Sequence, residues 1–91
     1  MNVKLFATFR DIINSKEVDI PVPESLTVKQ LIQGLIKQFP AFESELFNEN
    51  DELKPFTHIF VNGRNIIHLD GLNTKITKSD DIALIPPVGG G

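Results

Sequence analysis

Ninety-one residues provide for one hydrophobic core and not for two. Hydrophobic residues at 41% and charged residues at 23% are ordinary for a globular protein, and a net charge of −3 without a basic stripe argues against nucleic acid as a direct partner. The absence of cysteine excludes a disulfide framework, a thiolate nucleophile and a zinc site built on sulfur, and it suits a cytoplasmic location.

Met1-Asn2-Val3-Lys4 leads directly into a strand pattern, with no signal-peptide apolar run and no stretch long enough to span a membrane. Val3 to Phe9 is rich in strand formers and alternates, with Val3, Leu5 and Ala7 on one face and Lys4, Phe6 and Thr8 on the other. Arg10 to Lys16 reads as a loop, with room for one helical turn at Asp11-Ile12-Ile13. Glu17 to Val22 alternates and predicts a second strand, held to a sheet edge by Pro21, which has no N–H to give a ladder.

Thr27 followed three residues later by Gln30 is a capping box, and Leu26 with Leu31 fits a hydrophobic staple. Val28, Leu31, Ile32, Leu35, Ile36 and Phe39 then fall at helical spacing until Pro40 ends the run. This is the one long helix. Phe42, Leu46 and Phe47 suggest a short second helix, and Asn48 to Glu52 a loop. Thr57 to Val61 is a strand, Asn62-Gly63 a tight-turn signal, and Asn65-Ile66-Ile67 a short return strand. Gly71 to Thr74 and Lys78 to Asp81 are turns, and Ile82 to Ile85 is the last strand.

The chain closes on Pro86-Pro87-Val88-Gly89-Gly90-Gly91. Proline holds the backbone extended, and glycine carries no Cβ to obstruct a narrow channel. A stiff neck with a bare tip therefore suits a tail that enters another protein's site, with an unhindered carboxylate at its end. Three terminal glycines alone more often describe a frayed end or a linker.

The ordered set decides between these. Val3-Lys4-Leu5-Phe6-Ala7, Thr27-Val28 with Leu31, Val61-Asn62-Gly63-Arg64, and Asp80 through Gly91 together resemble the MoaD/ThiS sulfur carriers over essentially the whole chain. The resemblance implies an α+β, ubiquitin-like β-grasp fold: a mixed four- to five-stranded sheet on one main helix. It implies a domain over residues 1–88 and a flexible glycine tail over 89–91. Ser79 stands where the family usually has glycine, which predicts a different or strained turn. Gly89 replaces a small residue, and the stretch from Ala41 to Pro55 is longer than in the shortest members, as in archaeal MoaD-like proteins.

The resemblance further implies a co-substrate and not an enzyme. Gly91 would be adenylated and then thiocarboxylated, with Val88, Gly89 and Gly90 entering the partner's site beside it. No cofactor is bound; ATP is consumed by a MoeB-like (E1-like) activating enzyme, and a sulfurtransferase is the sulfur source. The acceptor would be a MoaE-like molybdopterin synthase large subunit, in molybdenum or tungsten cofactor biosynthesis. Consistent with this role, Gly89 to Gly91 opens no helix and lacks the Lys-Ser/Thr of a phosphate-binding loop.

Alternation points Phe6, Phe60 and Ile85 away from the helix, an apolar patch of the kind that marks protein contacts; with Pro86 and Pro87 they form the expected docking set. Lys4, Arg10 and Arg64 are candidates for its rim. His58 and His68 lack ligand spacing for a metal, and the carboxylates from Glu43 to Glu52 read as a solvated loop. Other readings are a ubiquitin-like modifier joined to lysines through Gly91, a carrier for thiamine, cysteine or tRNA thiolation, and a non-covalent binding module with an incidental tail.

Overall fold

The computed structural model describes residues 1–87; Val88, Gly89, Gly90 and Gly91, the expected tail, lie outside the described residues. Strand β1 (Asn2–Leu5) is followed by helix α1 (Thr8–Ile13), β2 (Glu17–Asp19), β3 (Ser25–Thr27), α2 (Val28–Gln38) and α3 (Ala41–Leu46). Then come β4 (His58–Val61), β5 (Arg64–Asn65), two 3-10 turns (Ile66–His68 and Gly71–Asn73), β6 (Lys75–Thr77) and β7 (Ile82–Ile85).

The main sheet has five strands in the order β2-β1-β7-β4-β5. Chain start and chain end meet in parallel at its middle, Val3 opposite Ile82 and Leu5 opposite Leu84, and every other pairing in it is antiparallel. The inward residues Val3, Leu5, Ile59, Val61, Ile82 and Leu84 are buried against the α2 stripe of Val28, Leu31, Ile32 and Leu35. One helix gripped by a mixed sheet is the β-grasp arrangement that the sequence predicts. The α2 start has both hydrogen bonds of the capping box, Gln30 N–H to Thr27 Oγ1 at 3.2 Å and Thr27 N–H to Gln30 Oε1 at 2.8 Å. Pro21 follows β2 at the sheet edge, and the short helix anchored by Phe42 and Leu46 is present as α3.

Four expectations are corrected. The first strand ends at Leu5, because Phe6 to Phe9 forms a tight turn closed by Phe9 N–H to Phe6 O at 3.1 Å. The helical turn allowed at Asp11-Ile12-Ile13 is present but belongs to a helix that starts earlier, at Thr8: Phe9, Ile12 and Ile13 have helical spacing, and Phe9 is buried with its ring 6.0 Å from that of Phe42. The return strand is only Arg64–Asn65; Ile66 and Ile67 belong to a 3-10 turn whose first N–H groups include one capped by Asn65 Oδ1. A second, two-stranded sheet pairs β3 with β6, Leu26 opposite Ile76, so the residues before the α2 cap are strand. Ser79 causes no backbone strain, since it is not among the residues of positive φ; Thr77 Oγ1 lies 3.0 Å from its hydroxyl.

Candidate docking face and tail exit

The outward face of the sheet follows from period-two alternation. In β7 the burial alternates Ile82 in, Ala83 out, Leu84 in, Ile85 out; in β4 Ile59 and Val61 face in and Phe60 out. Phe6 extends β1 by one residue, its N–H bonded to Leu84 O at 3.2 Å, and is 38% exposed. Phe6, Phe60 and Ile85 thus come from three different strands or strand ends to line one shallow groove of about 430 Å³, with Ala83 in its floor and Lys4, Asn62 and Asp81 among its polar lining. The patch expected from the sequence is therefore a single continuous surface.

Its edges are built by hydrogen bonds. Asn62 and Gly63, at φ 51° and 81°, take the positive values that a two-residue type I′ hairpin requires. The Asn62 side chain then clamps the neighbouring turn: Nδ2–H donates to Asp80 Oδ1 at 2.9 Å, and Oδ1 accepts from Asp81 N–H at 2.8 Å. With Thr77 N–H also donating to Asp80 Oδ2, the Asn62 amide first and this backbone group second hold the Asp80 carboxyl below its ordinary pKa. At the opposite edge the Arg10 guanidinium lies 5.8 Å from the centre of the Phe6 ring, with Nε–H donating to Leu5 O. Lys4 lines the groove and Arg10 rims it; Arg64 is exposed on β5 and is not part of the lining.

The other candidates separate. Pro86 is buried, because it continues the inward side of β7 after Ile82 and Leu84; it supports the exit from beneath and does not offer itself to a partner. Pro87 is exposed. His58 Nδ1 lies 2.9 Å from Asn65 Nδ2, a pairing within the sheet, and no cluster suited to a metal exists among the described residues. Glu43, Glu45, Glu49 and Glu52 are exposed, as a solvated segment should be. Sequence reasoning missed Thr57, whose buried Oγ1 has no hydrogen-bond partner among the described residues, and Phe56, which is 69% exposed. Phe56 sits just ahead of a strong strand pattern, and nothing in its neighbours signals exposure.

Comparison with known proteins adds the decisive observation: the ThiS family model matches residues 3–91. The chain belongs to the ThiS family. Within this family of sulfur carriers it is similar to small archaeal modifier protein 3 of Haloferax volcanii, 32% identical over 91 residues, covering all of this chain and 98% of that one. A protein of Archaeoglobus fulgidus, provisionally named a sulfur carrier, is 41% identical over 80 residues, covering 87% of this chain and 89% of that protein. Among solved structures, that of SAMP1 from Haloferax volcanii superposes with a TM-score of 0.87 at 32% identity, covering 100% of this chain and 98% of the other. The ubiquitin-like β-grasp assignment thus rests on structure as well as on strand order.

Proposed function

We propose that this ThiS-family chain carries sulfur on its last residue. The Gly91 carboxylate is a poor electrophile, being anionic with no good leaving group. An activating enzyme removes that obstacle with ATP: a carboxylate oxygen attacks the α-phosphorus, pyrophosphate leaves, and an acyl-adenylate forms. The outer sulfur of a sulfurtransferase persulfide then attacks the carbonyl carbon and AMP departs; a thiol cleaves the resulting acyl disulfide, leaving a thiocarboxylate on Gly91 and a disulfide on the donor side. The chain brings no ATP site of its own and acts as co-substrate. The observation that carries this reading is the placement of the apolar groove along the outer face of β7, the strand that continues through Pro86 and Pro87 towards Gly91. A partner seated on Phe6, Phe60 and Ile85 thereby lies against the strand that leads on to Gly91.

The acceptor we favour is a molybdopterin synthase large subunit. A relative 27% identical over 93 residues, from Drosophila sechellia, is named a molybdopterin synthase sulfur carrier subunit. A second reading, conjugation of Gly91 to lysines, draws on the relatives named small archaeal modifier proteins, at 32% identity. Both routes pass through the adenylate. Removing Gly91 is the test: the full chain supports ATP–pyrophosphate exchange by the activating enzyme, and the chain ending at Gly90 does not. Equal exchange by both chains would refute the proposal.

A further inference from the structure

Phe56 combines two unfavourable choices at one position. Lys54 to Thr57 is a turn closed by Thr57 N–H to Lys54 O at 3.2 Å, with Pro55 second and Phe56 third at φ 64°. This is the type II arrangement, whose third position favours glycine or asparagine. A bulky residue there is strained. The same side chain is 69% exposed, with its apolar surface in water. A residue that breaks the local rule and gains no burial for it marks a place shaped by something other than folding.

Its location says what. Strands β4 and β7 are antiparallel, and their last paired position is His58 with Ile85. Phe56 stands two residues before His58, and Pro87 stands two residues after Ile85, so both lie at the end of the sheet where the chain departs towards Gly91. Phe56 is not part of the groove lining and forms a separate contact point. The four residues after Pro87 can reach at most about 14 Å even when fully extended. An enzyme holding Gly91 at its reacting centre therefore brings its own surface against the sheet end.

Resting on the reading of Gly91 as the adenylated residue, we propose that Phe56 is an anchor at the tail exit, inserted into an apolar recess at the channel mouth of the ATP-dependent activating enzyme. That enzyme must keep water from the acyl-adenylate, and a large aromatic ring beside the emerging tail closes the entrance.

The test uses the full chain and the activating enzyme in ATP–pyrophosphate exchange. Phe56→Asn suits the positive φ, so its melting temperature should equal or exceed that of the unaltered chain. Its KM as co-substrate should rise about tenfold with kcat unchanged, as for a buried aromatic contact. Phe56→Leu, which keeps apolar bulk, should recover most of the loss. A Phe56→Asn KM within twofold of the unaltered chain would overturn the anchor, as would a defect confined to sulfur delivery at the acceptor. Absence of exchange with the unaltered chain would instead overturn the reading of Gly91 itself.

Discussion

Ala7 holds φ 50° and ψ −130° between β1 and α1, a backbone region in which an L side chain is strained. It occupies the first central position of the turn from Phe6 to Phe9, the site where a type II′ turn takes glycine. The turn is what sends Phe9 into the core against Phe42 while leaving Phe6 on the outer face. Ala7→Gly should therefore raise stability, relief of strain outweighing the greater entropy of an unfolded glycine, by about 1 kcal/mol. Urea unfolding would show this as a higher midpoint at unchanged slope; a lower midpoint would show that Ala7 is unstrained. Asn14 and Asn62 also have positive φ, but asparagine tolerates it, so the same gain is not expected there.

At the scale of elements, the central strand β7 does two things at once. Ile82 and Leu84 fill the core, and Ile85 helps to form the outward groove with Phe6 and Phe60. Ile85→Glu keeps the inward face intact, so the fold should persist, while a desolvated charge in the groove should weaken partner binding at least about thirtyfold. Titration calorimetry with the activating enzyme measures this directly, and undiminished affinity would remove the groove from the interface. The alternation that defines this surface was legible in the sequence, because a half-buried strand repeats every two residues. So was α2, where the Thr27 and Gln30 cap and the apolar stripe agree. Helix α1 was not: Val3, Leu5, Ala7 and Phe9 satisfy a strand pattern equally well, and the turn that ends the strand uses alanine where glycine would have announced it. The β3–β6 pair escaped because three residues around Leu26 and three around Ile76, far apart in the chain, are too short to show a period. Pro86 was misjudged as a contact residue because strand parity carries one step beyond Ile85 and turns it inward.

For the molecule as a whole, division of labour is the central feature. No cluster suited to a metal exists among the described residues, and no helix among them is long and apolar enough to cross a membrane. What the domain supplies is a sheet with an apolar groove along its outer face and an exposed aromatic, Phe56, at the end where the described chain leaves β7. Under the proposed function, reactivity would reside in the Gly91 carboxyl group, with the energy for it supplied by ATP spent by a partner. Intact-mass spectrometry after incubation with the activating enzyme, ATP and a sulfur donor tests this account most directly. Replacement of one terminal oxygen by sulfur, a gain of about 16 Da confined to the fragment containing Gly91, is the predicted result. An unchanged mass under conditions in which the enzyme turns over another carrier, or a gain located elsewhere in the chain, would contradict it.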